Sequence, residues 1–214
     1  MNETVFLVED DAAVRLGICD LLESAHISSQ SFASAEEFLQ AWNTDMMGCL
    51  LLDVRLPGIS GLELQSQLIA RGVSLPIIIM TAHGDIPMVR KVLKAGAVEF
   101  LTKPFHDHEL LEAVEQAFKL HRESRERGSA VQSIQERILT LSERERQVLE
   151  LVTTGLTNKE IGAQLHLSVV TIKLYRGQLM RKMQASTFAE LVKMWQHVRA
   201  VSRSTDDQTH IRNA

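Results

Sequence analysis

The sequence predicts an α/β fold, a doubly wound five-stranded parallel sheet, followed by a small all-α domain with helix-turn-helix spacing. Three observations predict it. Apolar runs of strand length alternate with helix-spaced apolar positions through the first 120 residues, and from Leu141 onward the spacing is helical only. Charge divides the chain in the same way: residues 1–120 carry 8 Lys+Arg against 17 Asp+Glu, and residues 121–214 carry 15 against 10. Strands apolar on both faces belong in a parallel sheet covered by helices. An acidic front and a basic back suit two halves with different partners, the second on nucleic acid.

The elements follow in order. Val5–Val8 is a buried strand, and Val14, Ile18, Leu21 and Leu22 fall on one face of a helix over Asp11–Ala25. Gln30–Ala33 is the faintest strand. Ser34 and Glu37 have the spacing of a capping box that opens a short helix. Cys49–Leu52 and Pro76–Met80 are buried strands, separated by a turn at Pro57-Gly58 and a helix over Gly61–Ala70. Asp85–Ala95 reads as a helix ended by Gly96, Val98–Leu101 as the last strand, and His106–Leu120 as an amphipathic helix. Residues 1–120 therefore form the first domain. Residues 121–139 read as a linker, helical in part and interrupted at Gly128-Ser129. Residues 140–200 form the helical domain, with capping boxes at Ser142–Glu145 and Thr157–Glu160, a helix from Ser168 to Met183 and another from Thr187 to Val198. Residues 201–214 are a polar tail without structure.

No apolar run is long enough to cross a bilayer, so no membrane partner is expected. The N-terminus is not basic and leads directly into a strand, unlike a signal peptide. Cys19 and Cys49 both sit in apolar patterns and read as buried free thiols, which fits a cytoplasmic protein. Leu149, Ile161, Leu165, Leu167, Leu179, Leu191 and Val192, with Trp42 and Trp195, are core candidates. The eight histidines show no ligand spacing.

Ligands of a doubly wound sheet gather at the C-terminal ends of its strands. Those ends carry Glu9-Asp10-Asp11, Asp53, Thr81 and Lys103-Pro104. Clustered carboxylates call for a hard cation, and Mg²⁺ takes carboxylate oxygens while keeping several waters. Asp53 can then attack phosphorus and form an acyl phosphate. Lys103 supplies charge to the phosphoryl oxygens and Thr81 a hydrogen bond.

Here the residues resemble a known family. Val8–Asp11, Leu51–Gly58, Met80–Asp85 and Lys94–Phe105 are similar to the receiver domain of bacterial response regulators, a flavodoxin-like fold. The resemblance implies Asp53 as the phosphorylation site and Glu9 and Asp10 as the acidic metal pair, Asp10 binding directly. It adds the Arg55 carbonyl to the Mg²⁺ ligands and makes Thr81, Lys103 and Phe100 the switch residues. It also implies a cis Lys103–Pro104 peptide. Glu9 stands where Asp is commoner. Haloacid-dehalogenase-type phosphatases share the nucleophilic Asp, the Thr and the Lys, but need a second Asp two residues on, where this chain has Arg55. Turnover of external phosphate esters is therefore not expected, and the chain is not read as an enzyme.

In the back half, a helix with Thr171, Lys173, Arg176, Arg181 and Lys182 suits the major groove. Leu141–Leu149, Gly155–Ile161, Leu167–Lys173 and Lys182-Met183 resemble the LuxR-type helix-turn-helix. Together the two halves are similar to response regulators of the NarL/FixJ family. The resemblance places Lys173 and Leu174 in the groove and Thr171, Arg176 and Lys182 on phosphates, with Asn158 and Lys159 beginning the scaffold helix near the backbone. Tyr175, Gln178 and Gly177 depart from the family's pattern, Gln178 being a further candidate contact. It also implies a sensor histidine kinase, double-stranded promoter DNA and RNA polymerase as partners, and a homodimer on phosphorylation, with activation the commoner output. Met88, Val89, Lys91 and Val92 are the candidate dimer surface. The alternative is a receiver that relays its signal to a protein partner, with a tail that binds RNA or nothing.

Overall fold

The structure, a computed structural model, describes residues 3–82 and 86–210, with the backbone alone for residues 86–87 and 200–210. The chain forms two compact units, residues 1–125 and 126–214.

The first unit runs β1 (Thr4–Val8), α1 (Ala12–Ser24), β2 (Ser28–Phe32), α2 (Ala35–Ala41), β3 (Gly48–Asp53), α3 (Gly61–Ala70), β4 (Ile77–Thr81), α4 (Ile86–Lys94), β5 (Glu99–Thr102) and the start of α5 (Asp107–Leu139). All strand pairs are parallel and the sheet order is β2-β1-β3-β4-β5. Alternation along the strands explains the two covering layers. Phe6, Val8, Leu50, Leu52, Ile77 and Ile79 bury one face under α2, α3 and α4. Val5, Leu7, Cys49, Leu51, Ile78 and Met80 bury the other under α1 and α5. The strand order reverses between β1 and β3, which opens a crevice at their C-terminal ends.

Several local expectations change. The faint second strand is real, although Ser28–Gln30 and Ser31 are exposed and only Phe32 is buried, because β2 is an edge. Ser34 caps α2 by accepting from Glu37 N–H, but the Glu37 carboxylate turns back to Ala33 N–H, so the box is not reciprocal. Val92 is buried in the core and cannot belong to a surface, whereas Lys91 is exposed and Met88 and Val89 are half-buried. His83, Gly84 and Asp85 lie outside the described residues. The expected break at Gly128-Ser129 is absent: α5 is continuous to Leu139. A helical glycine costs only about 1 kcal/mol relative to alanine, and the segment beyond it is anchored where Ile134 and Ile138 pack into the second unit's core.

The second unit continues with α6 (Glu143–Thr153), α7 (Asn158–Leu165), α8 (Val169–Met183) and α9 (Phe188–His210). Both capping boxes are complete, Ser142 with Glu145 and Thr157 with Glu160. Gly155 (φ 89°) ends the turn after α6. Leu149, Ile161, Leu179 and Leu191 are buried in one cluster with Leu165, Leu167 and Trp195 against it, while Val192 is half-buried outside it. Helix α9 runs on to His210, past the expected end near Val198 and through most of the segment read as an unstructured tail. Among the described residues no helix is long and apolar enough to cross a membrane.

Candidate functional site

The first site lies at the C-terminal ends of β1, β3, β4 and β5. Register places it there: Val8 pairs with Leu52, Asp53 with Met80, and Thr81 with Thr102, so the polar residue after each apolar run emerges at the same edge. Glu9, Asp10 and Asp53 offer carboxylate oxygens within 4.8 Å of one another, the one such group among the described residues that could hold a metal ion. Glu9 and Asp53 are buried and Asp10 is exposed. The Lys103 ammonium donates to Glu9 Oε2 and, at 3.0 Å, to Asp53 Oδ2. Lys103 reaches back from a cis Lys103–Pro104 peptide, and its N–H donates to the Thr81 carbonyl at 2.8 Å. Thr81 is buried beside them at the end of β4.

The electrostatics are unbalanced. Burial pushes the Glu9 carboxyl above its ordinary value and the Asp53 charge adds to the push, more than the pull of Lys103 offsets. For Lys103, burial works downward, but the bonds to Glu9 and Asp53 prevail and hold its pKa above the ordinary value. Three carboxylates facing one ammonium fit a divalent hard cation, and the donor set is all oxygen.

The surroundings shape this pocket in ways the sequence did not announce. Arg15 Nη1 donates to the Glu9 carbonyl at 2.6 Å and the Asp10 carbonyl at 3.1 Å, tying α1 to the acidic loop. Asp11 is the N-cap of α1, accepting from Ala13 and Val14 N–H, and so serves the helix. Gly61 must be glycine: a Cβ would lie 2.0 Å from the Asp53 carbonyl oxygen. Arg55 N–H faces Asp53 Oδ1 at 3.4 Å, and the Arg55 side chain is exposed. Phe100 is half-buried on β5 opposite Ile79 and packs against the core.

The second site is the α7–α8 pair. Gly162 allows α7 to pass the turn, since a Cβ there would lie 2.7 Å from the Leu167 carbonyl oxygen, and His166 takes the left-handed conformation (φ 55°) that ends α7. Ser168 caps α8, its hydroxyl 2.8 Å from Thr171 Oγ1. Lys159, Lys173 and Leu174 are exposed; Asn158, Thr171 and Gln178 are half-buried. Two expected phosphate contacts have internal partners. Arg176 donates to Asn158 Oδ1 at 2.8 Å and stacks 5.1 Å from the Phe188 ring centroid. Lys182 donates to buried Glu145 at 2.6 Å and to the Thr140 carbonyl at 3.1 Å. The capping-box spacing of Glu145 announced its bond to Ser142; nothing in the spacing announced Lys182, 37 residues away. Val169 and Val170, apolar and exposed at the start of α8, were likewise not singled out.

Comparison with known proteins relates each unit to a known family. Residues 5–115 match the model of the response regulator receiver domain, and residues 139–195 that of the bacterial regulatory proteins of the luxR family. The chain is 44% identical over 207 residues to nodulation protein W of Bradyrhizobium diazoefficiens, covering 97% of this chain and 91% of that protein. It is 43% identical over 190 residues to the transcriptional regulatory protein FixJ of Azorhizobium caulinodans, covering 89% and 90%. The solved structure of the response regulator StyR superposes with a TM-score of 0.81 at 42% identity, covering 92% of this chain and 99% of that one. With a receiver sheet, its acidic triad and a LuxR-type helix-turn-helix in one chain, the protein belongs to the NarL/FixJ family of two-component response regulators, which are DNA-binding transcription regulators and not enzymes.

Proposed function

We propose that Asp53 accepts a phosphoryl group from a sensor histidine kinase and that this modification controls promoter binding by the C-terminal domain, with activation as the output. The observation that carries the reading is Lys103, whose single ammonium holds both Glu9 and Asp53 inside a carboxylate triad at the strand ends. Mg²⁺ is the ion we assign to Glu9, Asp10, Asp53 and the Arg55 carbonyl; when bound it supplies positive charge to the transferring oxygens. An Asp53 carboxylate oxygen attacks phosphorus, the bond to the donor's imidazole nitrogen breaks, and that nitrogen leaves with the electron pair. Lys103, already within hydrogen-bonding distance of Asp53, is placed to neutralise a phosphoryl oxygen. Thr81 sits one residue beyond the strand partner of Asp53 and is assigned to donate to another. Phe100, half-buried beside Ile79, is the side chain that follows Thr81 inward.

The output is assigned to a receiver of residues 1–120, a helical linker of 121–139 and a DNA-binding domain of 140–200, followed by a polar segment, 201–214, into which α9 continues as far as His210. The face carrying Met88, Val89 and Lys91 pairs two phosphorylated chains, and two recognition helices then meet adjacent half-sites. Lys173 and Leu174 enter the groove, while Asn158, Lys159, Thr171 and Gln178 lie along its edges. Arg176 and Lys182 act from their internal partners, presenting their remaining N–H groups to phosphates. DNA and RNA polymerase as partners place the protein in the cytoplasm. Fluorescence anisotropy with acetyl phosphate and Mg²⁺ tests this: wild type gains about tenfold in promoter affinity, and Asp53→Asn gains nothing and shows no phosphoryl adduct by intact mass. Equal gains in both proteins overturn the assignment.

A further inference from the structure

We infer that an exposed apolar ridge on α8, formed by Val170 and Leu174, reads the C5-methyl groups of thymine, so that each operator half-site carries thymine at one or two fixed positions. The inference rests on the DNA-binding reading above and states which base edge the helix recognises.

Helix α8 has two faces. Ile172, Leu179 and Met183 are 0% exposed and hold it to the domain core. On the outward side Val170 is 76% exposed and Leu174 59%, with Val169 at 40% beside them. Residues four apart stand one above the other on a helix, so Val170 and Leu174 form a continuous ridge. Single exposed apolar residues need no explanation, but a ridge on the face a domain presents outward does. One turn further, Gly177 leaves the surface low: a Cβ built there meets nothing within 4 Å. A partner can therefore come close to the helix backbone directly beyond Leu174.

Charge decides what that partner is. Residues 169–183 contain Lys173, Arg176, Arg181 and Lys182 and no aspartate or glutamate. Lys173 lies beside the ridge and Arg181 one turn past Gly177, and neither side chain has a partner among the described residues. An apolar ridge flanked by unpaired cations complements a polyanion with an apolar feature recessed between its charges. The major groove has that form, and of the four bases only thymine presents a methyl group there. Branched Val170 and Leu174 cannot hydrogen-bond to a base edge, so they contribute specificity by burying that methyl.

The test uses the full chain with Mg²⁺ and beryllofluoride. A duplex consensus is first enriched from a random pool, and its thymines are then replaced one at a time by deoxyuridine, which removes only the methyl group. Wild type should lose about three- to fivefold in affinity at one or two positions per half-site, the loss expected for one unburied methyl. Val170→Ser and Leu174→Ala should each abolish the deoxyuridine effect at one of them. Val170→Thr, which keeps the shape, retains a methyl and checks that the effect is not unfolding, as does an unchanged melting transition. Enrichment of a consensus with no deoxyuridine effect, or with effects equal in wild type and both variants, overturns this inference and leaves DNA recognition standing. Failure to enrich any sequence overturns both.

Discussion

Two lysines in this chain each reach a buried glutamate, one pair in each half, and the two pairs are built to different ends. In the C-terminal domain, Lys182 meets Glu145, whose Oε2 also accepts from Ser142 N–H at 2.7 Å. Burial there raises the Glu145 pKa, but the bonds from Lys182 and Ser142 outweigh it and hold the carboxyl below its ordinary value. In the receiver, Lys103 meets Glu9, yet Glu9 stays above its ordinary value, because burial is joined by the charge of Asp53. One pair is matched and ties α6 to α8. The other is over-supplied with carboxylate, and its imbalance is what a divalent cation can relieve. A buried ion pair is thus no guide to role by itself; the count of charges around it is.

Mutation should separate the pairs. Lys182→Met strands a buried carboxylate and should destabilise the C-terminal domain by about 1–3 kcal/mol, visible as an earlier urea transition for that half with the receiver unmoved. No change in that transition would break the comparison. A third buried group extends it to the opposite end of the sheet. His121 on α5 accepts from Gly48 N–H at 3.0 Å through Nδ1, the nitrogen that a second proton must occupy. Burial first, and then the charge of Arg125, lower its pKa, with the Glu3 carboxylate opposing. The folded receiver therefore binds fewer protons at His121 than the unfolded chain. Stability from His121 is complete above the unfolded value of about 6.5 and is lost as pH falls below it, at most about 1.4 kcal/mol per pH unit. Denaturation curves between pH 7.5 and 5 should show that slope in wild type and a flatter one in His121→Gln.

The smallest effect has the opposite sign. Glu9→Gln removes one of the crowded carboxylates, so without divalent ions it should raise receiver stability, by no more than about 1 kcal/mol. The same variant should lose most of the stabilisation that added Mg²⁺ gives wild type, read as a smaller shift in melting temperature. A destabilised Glu9→Gln receiver in metal-free buffer would mean that the Lys103 bond outweighs the repulsion, and that the pocket is architecture after all.

The order of strands and helices, the strand-end positions of Glu9, Asp10, Asp53, Thr81 and Lys103, and the capped helices of the second domain were legible because each depends on local spacing. Apolar alternation is a property of a few neighbouring residues, and strand ends in a parallel sheet fall on one edge whatever the loops do. Position along the chain did not reveal which polar residues would be consumed internally. Arg15 turning to two carbonyls, Lys182 crossing to Glu145 and Arg176 bridging Asn158 and Phe188 join elements that only packing brings together. The same holds for Val92, apolar in either reading, which packing put in the core, and for Val170, which packing left in solvent. Sequence by itself determined the fold class, the division into two units and the acidic strand-end set, because these follow from periodicity and residue type. Tertiary structure decided which charges are spent on architecture and which apolar side chains stay exposed, because burial and pairing depend on contacts between residues far apart in the chain.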